Sequence, residues 1–180
     1  MAIFNNGNIP ANLLYTRPWT FSNHITITRP ADTTAYAAMD IVNNAAASIL
    51  PVFDFTTYNG IIAGRTIRIK QIQSYSATAR NLTYLIVNSA SMGSQTWTDN
   101  TAFNPAFADF IVPDKAIVNF TNDIYTGGIT TVLDTEIPCT INAQIDVDAN
   151  NKLYLVLIAV AGFTPASAEK FDITIKGEIF

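Results

Sequence analysis

The chain has 180 residues, of which 49% are hydrophobic and only 13% are charged, and its formal net charge is −4. The 10 basic residues are scattered, which excludes nucleic acid as an expected partner because binding to phosphates needs clustered Lys and Arg. The longest apolar run, Leu153 to Phe163, is too short to cross a bilayer, which takes about 20 residues, so we expect no membrane contact.

The first residues show neither a secretion signal nor the pattern of a strand. Met1 to Asn8 has no basic n-region and no apolar h-region, so we expect synthesis in a reducing cytoplasm. Residues 1–20 lack a period of two, and we predict an extended N-terminal arm ahead of one domain at 21–180. Tyr15, Arg17 and Trp19 are candidate partner-binding residues, because these residue types dominate interface energetics. The arm either packs on its own domain or reaches a neighbouring subunit, and the sequence favours neither.

From residue 21 the chain alternates as β-strands do. Ile25 and Ile27 fall on one predicted face, and the residues between them are polar: His24, Thr26 and Thr28. Pro51 interrupts the apolar segment 48–55 and so predicts an edge strand or a bulged strand there.

Two further signals concern turns and register. Asn59-Gly60 is the strongest hairpin signal of the chain. Ile67 and Ile69 share a face, but Ile72 breaks the parity, and a β-bulge near Lys70-Gln71 would restore it.

A long polar loop, 89–105, follows the buried strand predicted at Leu82 to Val87, and Trp97 lies in its middle. An exposed Trp there would form an aromatic platform for a sugar, which makes Trp97 a candidate ligand-binding residue. The alternative, which we favour, is that Trp97 folds inward and anchors its own loop.

The last 30 residues indicate the fold most clearly. The strand from Lys152 is apolar on both faces, which predicts that it lies between two layers. The final strand alternates strictly: Phe171, Ile173, Ile175 and Ile179 on one face, Asp172, Thr174, Lys176 and Glu178 on the other. With about eight to ten strands and no convincing helix, we predict an all-β protein, a two-sheet antiparallel sandwich of jelly-roll type.

The sequence offers little chemistry. His24 is the single imidazole and no nucleophile elbow is present, so we expect no enzyme activity. Cys139, the single cysteine, is interpreted as a small buried hydrophobe, and one His with one Cys is too few for a zinc site. Asp146 and Asp148 begin a calcium-loop pattern that lacks its Gly and its Glu, so neither metal nor cofactor is expected.

Three segments together resemble a widespread family of small structural proteins of tailed phages and prophages. They are Thr28 to Val42 with its Arg-Pro-Ala-Asp-Thr-Thr-Ala-Tyr run, Asp99 to Phe103, and Leu153 to Ser167 with its closing Phe-Thr-Pro-Ala-Ser. The resemblance covers roughly residues 25–180, and it supplies no catalytic residues. Members usually have Gly before the Asp at position 40, where this chain has Met39, which conflicts with a turn of positive φ.

The resemblance implies a virion protein that decorates or cements a capsid. Its partners would be the major capsid protein or other virion proteins. We expect a homo-oligomer, with a trimer favoured because protein lattices offer three-fold positions and closed symmetry is the norm. It would be made in the host cytoplasm and end on the capsid surface. The alternative is a carbohydrate- or receptor-binding module on a head fibre or tail, with a glycan bound near Trp97.

Overall fold

The computed structural model describes residues 19–44, 49–58, 61, 63–78, 80–89, 95–104, 118–121, 131–136 and 144–179. All of the regular elements within these ranges are β-strands. They are β1 Trp19–Thr28, β2 Ile41–Val42, β3 Val52–Asp54, β4 Thr66–Ser76, β5 Leu82–Val87, β6 Val118–Thr121, β7 Thr131–Glu136, β8 Gln144–Asp146, β9 Lys152–Ala159 and β10 Lys170–Ile179.

The strands form two antiparallel sheets. Sheet 1 has the order β1-β10-β4-β7, with β8 also paired to β4, and sheet 2 has the order β2-β9-β5-β6, with β3 also paired to β9. Most strands that follow one another along the chain lie in different sheets or do not pair, so the chain crosses repeatedly between layers. This confirms the predicted all-β, jelly-roll-like sandwich.

The main core lies between the two sheets. As the alternation of β10 predicts, Phe171, Ile173 and Ile175 are fully buried, whereas the polar residues between them remain partly exposed. On β9, Leu153, Leu155 and Leu157 enter the same core. The opposite face of β9 is buried as well, because Val156 and Ile158 pack beneath residues of the 95–104 segment. β9 therefore lies between two layers, as predicted.

The predicted bulge in β4 is present. Lys176 pairs with Gln71 and Gly177 with Ile69, so Lys70 is the extra residue. Opposite the bulge, a Cβ on Gly177 would lie 1.9 Å from the carbonyl oxygen of Arg68 and 2.8 Å from the ring of Phe21. Position 177 therefore requires Gly, and the bulge corrects the side-chain parity of β4.

Some of the other sequence-based predictions concern residues that the structure describes, and some concern residues outside the described ranges. Trp19 and Thr20, assigned above to the arm, are the first two residues of β1 and pair with Ile179 and Glu178 of β10. β3 pairs with β9 alone among the described strands, in agreement with the predicted edge strand. The Asn59-Gly60 hairpin, Cys139 and the arm up to residue 18 lie outside the described residues.

Candidate functional site

The three segments of the phage-like resemblance meet at one end of the sandwich, which we name the Arg29 end and define as residues 29–40 and 159–169. Arg29 directly follows β1, and its backbone nitrogen donates to the carbonyl oxygen of Glu169 at 3.0 Å. Tyr36 forms an isolated β-bridge with Phe163, and Asp40 forms one with Ala102 of the 95–104 segment. Segments far apart in sequence are thus joined through backbone hydrogen bonds.

A buried ionic network lies beneath this end. The Arg29 side chain is 0% exposed and donates through Nη2 to Asp99 Oδ2 at 3.2 Å. Its Nε donates to the Tyr36 hydroxyl, which in turn donates to Asp99 Oδ1 at 2.5 Å. A second carboxylate, that of the half-exposed Asp32, lies 3.4 Å from Nη2. The buried guanidinium is therefore both paired and hydrogen-bonded, which a buried charge requires.

Asp99 also fastens the loop that covers sheet 2. Its Oδ1 accepts a hydrogen bond from the backbone nitrogen of Asn43 at 2.8 Å. The fully buried Asn43 side chain donates to the carbonyl oxygens of Ile49, at 3.1 Å, and Trp97, at 2.5 Å. One carboxylate thus links the end of β1, the residue after β2 and the 95–104 segment.

Two arginines and two aromatic rings form a stack in the order Arg29, Tyr36, Phe163, Arg80. The guanidinium carbon of Arg29 lies 4.6 Å from the Tyr36 ring centroid, and that of Arg80 lies 4.7 Å from the Phe163 centroid. The two rings are 4.8 Å apart. Arg80 also forms a two-point pair with the buried Glu169, at 2.9 and 3.0 Å. Each cation–π contact contributes about 0.5–2 kcal/mol, so the stack helps to stabilise this end of the sandwich.

The protonation states in the network are fixed at neutral pH. Burial, followed by the hydrogen bond to Asp99, raises the pKa of Tyr36 well above its usual value. Burial alone would lower the pKa of Arg29, but Tyr36 and Asp99 outweigh it and the pKa is raised. Tyr36 is therefore neutral and Arg29 charged at neutral pH.

The exposed residues above the network are small and uncharged with one exception. Of the exposed residues in 31–39 and 160–168, only Asp32 is charged, and the remainder are Ala, Thr, Ser, Gly, Met39 and Val160. Met39 is 51% and Val160 36% exposed, and they lie near each other because the Met39 nitrogen donates to the Ala159 carbonyl at 2.8 Å. Met39 also has a φ of 71°, so the turn keeps a positive φ without Gly.

Of the candidate partner- and ligand-binding residues named from the sequence, only Trp97 has a side chain within the described residues. Trp97 is 5% exposed and stacks on Phe103 at 6.5 Å between centroids, so its ring anchors the loop and does not form an exposed platform. Trp19 is the first residue of β1, but its side chain is not described. Tyr15 and Arg17 lie outside the described residues altogether. The network was missed as a cluster, although Arg29, Tyr36 and Asp99 all belong to the segments singled out above.

The remaining polar candidates have local partners. His24 Nε2 lies 3.4 Å from Asp172 on the exposed face of sheet 1. Asp148 accepts hydrogen bonds from the backbone nitrogens of Asn150 and Lys152, each at 2.8 Å, and from the Tyr154 hydroxyl. Among the described residues, no group of three or more His, Cys, Asp or Glu side chains is arranged to hold a metal ion. The described segments also contain no helix with the length and apolar character of a membrane span.

No model of a known protein family matches the sequence, and no curated protein matches it. Among solved structures, a chain of Desmodium yellow mottle tymovirus aligns over 100% of this chain and 92% of its own, at 12% identity and a TM-score of 0.28. A TM-score this low does not establish a common fold, so the fold rests on the strand order given above.

Proposed function

We propose that this chain is a virion structural protein of a tailed phage that decorates or cements the capsid. The observation that supports this function is the convergence of the three phage-like segments on one buried network. Arg29, Tyr36, Asp99 and Phe163 all come from those segments and contact one another. The resemblance therefore corresponds to one three-dimensional unit at one end of the sandwich.

The properties of the Arg29 end suit an adhesive, non-enzymatic role. Burying a charged surface in an interface requires desolvation and partners for each charge, whereas small uncharged side chains have little to lose. Met39 and Val160 add apolar area, and the hydrogen bond from the Met39 nitrogen to the Ala159 carbonyl joins the two exposed segments. A surface that is ordered before binding loses less conformational entropy when it binds. We therefore place the contact with the shell at the Arg29 end.

The arm would serve a second contact. β1 begins at Trp19 opposite Ile179, at the end of the sandwich away from Arg29. The 18 preceding residues, fully extended, would span about 60 Å, which is enough to cross a neighbouring subunit. In this arrangement one end of the sandwich meets the shell, and Tyr15, Arg17 and Trp19 contribute to contacts between copies, with a trimer favoured.

The proposal is tested by binding of the purified chain to phage heads that lack it. Ala38→Lys places a charge on the Arg29 end, and Ala63→Lys places the same charge on an exposed residue near the other end. We expect Ala38→Lys to weaken binding at least about tenfold and Ala63→Lys to leave it unchanged. Cryo-electron microscopy of the loaded particles should show the Arg29 end facing the shell. Equal binding by both variants would contradict this assignment, and the absence of any head binding would refute the function.

The alternative is a glycan- or receptor-binding module on a fibre or tail. Trp97 is not a suitable binding residue for it, because the Trp97 ring is buried. Density for the chain at a fibre or tail tip, and not on the head, would favour the alternative.

A further inference from the structure

The outer face of sheet 1 is a second surface, distinct from the Arg29 end. Its residues come from alternate positions of β1, β10 and β4 and are mostly polar, with chiefly hydroxyl side chains on β1 and chiefly charged side chains on β10. One large ring stands among them: Tyr75, which is 38% exposed. An exposed aromatic ring on a polar sheet face has no role in the core, so its environment indicates what it could bind.

The strand register places polar residues of β10 and β1 on one side of Tyr75 and Val132 of β7 directly opposite it on the other side. Tyr75 is directly opposite Asp172, which is opposite Thr26 on the next strand. In the adjacent row, Gln73 is opposite Thr174, which is opposite His24. Directly opposed side chains begin about 5 Å apart, and diagonal neighbours about 7–8 Å apart. We name Tyr75, Gln73, Asp172, Thr174, Thr26 and His24 the Tyr75 patch. They extend over three neighbouring strands, about 10 Å, which leaves room for a sugar ring.

The carboxylate beside the ring is held in place. The Thr26 hydroxyl donates to Asp172 Oδ1 at 2.5 Å, and His24 Nε2 lies 3.4 Å from the same oxygen. Asp172 nevertheless keeps 39% and His24 54% of its side-chain surface exposed. A fixed but accessible carboxylate can accept hydrogen bonds from two adjacent hydroxyl groups of a ligand without first losing conformational freedom.

We propose that the Tyr75 patch binds a neutral hexopyranose, as part of a glycan. The apolar C–H face of such a ring stacks on Tyr75, while its edge presents hydroxyl groups to Asp172. An anionic sugar is disfavoured, because Asp172 is adjacent and the chain carries a net charge of −4. The polar and charged residues beside Tyr75 on β10 and β1 favour a hydroxylated ligand over a dry protein contact. This site does not depend on capsid binding, and would add glycan attachment to a particle that displays the chain.

The test is a titration of the full, isotope-labelled chain with simple sugars, followed by amide chemical shifts. The probes are methyl β-D-galactopyranoside, methyl β-D-glucopyranoside and diacetylchitobiose, with N-acetylneuraminic acid as the anionic comparison. We expect at least one neutral probe to bind with a dissociation constant in the millimolar range and to shift amides of β1, β4 and β10 near Tyr75. N-acetylneuraminic acid should bind at least about tenfold more weakly.

Variants locate the site. Tyr75→Ala and Asp172→Asn should each weaken binding about tenfold or more, whereas Tyr75→Phe, which keeps the ring, should stay within about threefold of the parent. Thr20→Ala, on the same face but opposite Glu178, is the matched control and should not change binding. The amide spectra also show whether each variant is folded. Failure of all three neutral probes to shift these amides, or parent-like binding by folded Tyr75→Ala, would overturn the assignment.

Discussion

Replacing Asp99 by Ala tests the network on which the Arg29 end depends. The substitution removes the acceptor of three hydrogen bonds, from Asn43, Tyr36 and Arg29. It leaves the Arg29 guanidinium at 0% exposure, with the half-exposed Asp32 at 3.4 Å as the remaining carboxylate. Removing one partner of a buried ion pair costs about 3–5 kcal/mol, because the other charge stays buried without compensation.

We therefore expect Asp99→Ala to lower the free energy of unfolding by about 4 kcal/mol. At a slope of about 2 kcal/mol per molar urea, the unfolding midpoint would fall by about 2 M with the slope unchanged. Asp32→Ala is the matched control, since Asp32 contacts the same guanidinium from an exposed position, and its effect should be small.

A double-mutant cycle separates the ion pair from the other bonds of Asp99. Arg29→Met removes the charge but keeps a long apolar side chain, so Asp99→Ala should be less damaging in that background. We expect a coupling energy of about 2–3 kcal/mol between Arg29 and Asp99. A loss below about 1 kcal/mol for Asp99→Ala alone, or strictly additive effects in the double variant, would refute the reasoning.

Three further outcomes follow from the backbone and the tyrosines. Met39→Gly should stabilise the chain by about 0.5–1 kcal/mol, because Gly tolerates the φ of 71° at this position better than Met. Gly64→Ala should destabilise the chain by a similar amount, because its φ is 73°, although no atom lies within 4 Å of the new methyl group. Urea unfolding measures both effects. Gly177→Ala should cost about 3 kcal/mol or more in the same assay, because the added methyl would lie 1.9 Å from a backbone oxygen of β4, and wild-type stability would contradict the described bulge. Burial raises the pKa of Tyr84 to about 12, and burial with a hydrogen bond to a carboxylate does the same for Tyr154. The folded state favours the neutral form of both tyrosines, so their contribution to stability is complete below about pH 10 and should decline as the pH rises through about 12. For the buried Tyr84 the decline is at most about 1.4 kcal/mol per pH unit. Urea midpoints that stay constant over this pH range would contradict the prediction.

The fold could be predicted from the sequence because alternation reports burial directly. The faces of β10 follow from Phe171, Ile173 and Ile175 alone, and the two-sided burial of β9 follows from its lack of a polar face. The bulge at Lys70 was predictable for the same reason, since one extra residue reverses the parity of every side chain after it. Each of these features depends on neighbours along a single strand.

The site could not be predicted in this way, because its contacts are long-range. Arg29 and Asp99 are 70 residues apart, and no local pattern shows which of 14 acidic residues would meet a given arginine. The direction of Trp97 was equally undetermined, because an anchoring Trp and an exposed Trp have the same polar neighbours in a loop. At Met39 the local preference for Gly is overridden, since hydrogen bonds on both sides of the turn hold its backbone at positive φ.

The positions of the few charged residues distinguish the two proposed binding surfaces. At the Arg29 end, Arg29 and Glu169 are buried within the fold, whereas the exposed residues above them are almost uncharged. On the outer face of sheet 1, the charges stay accessible beside hydroxyl and amide groups. The two surfaces therefore suit different partners, a dry protein contact at one and a hydrated sugar at the other. If both proposals hold, Ala38→Lys will weaken head binding without affecting sugar binding, and Tyr75→Ala will weaken sugar binding without affecting head binding. Weakening of both activities in either variant would indicate a shared surface.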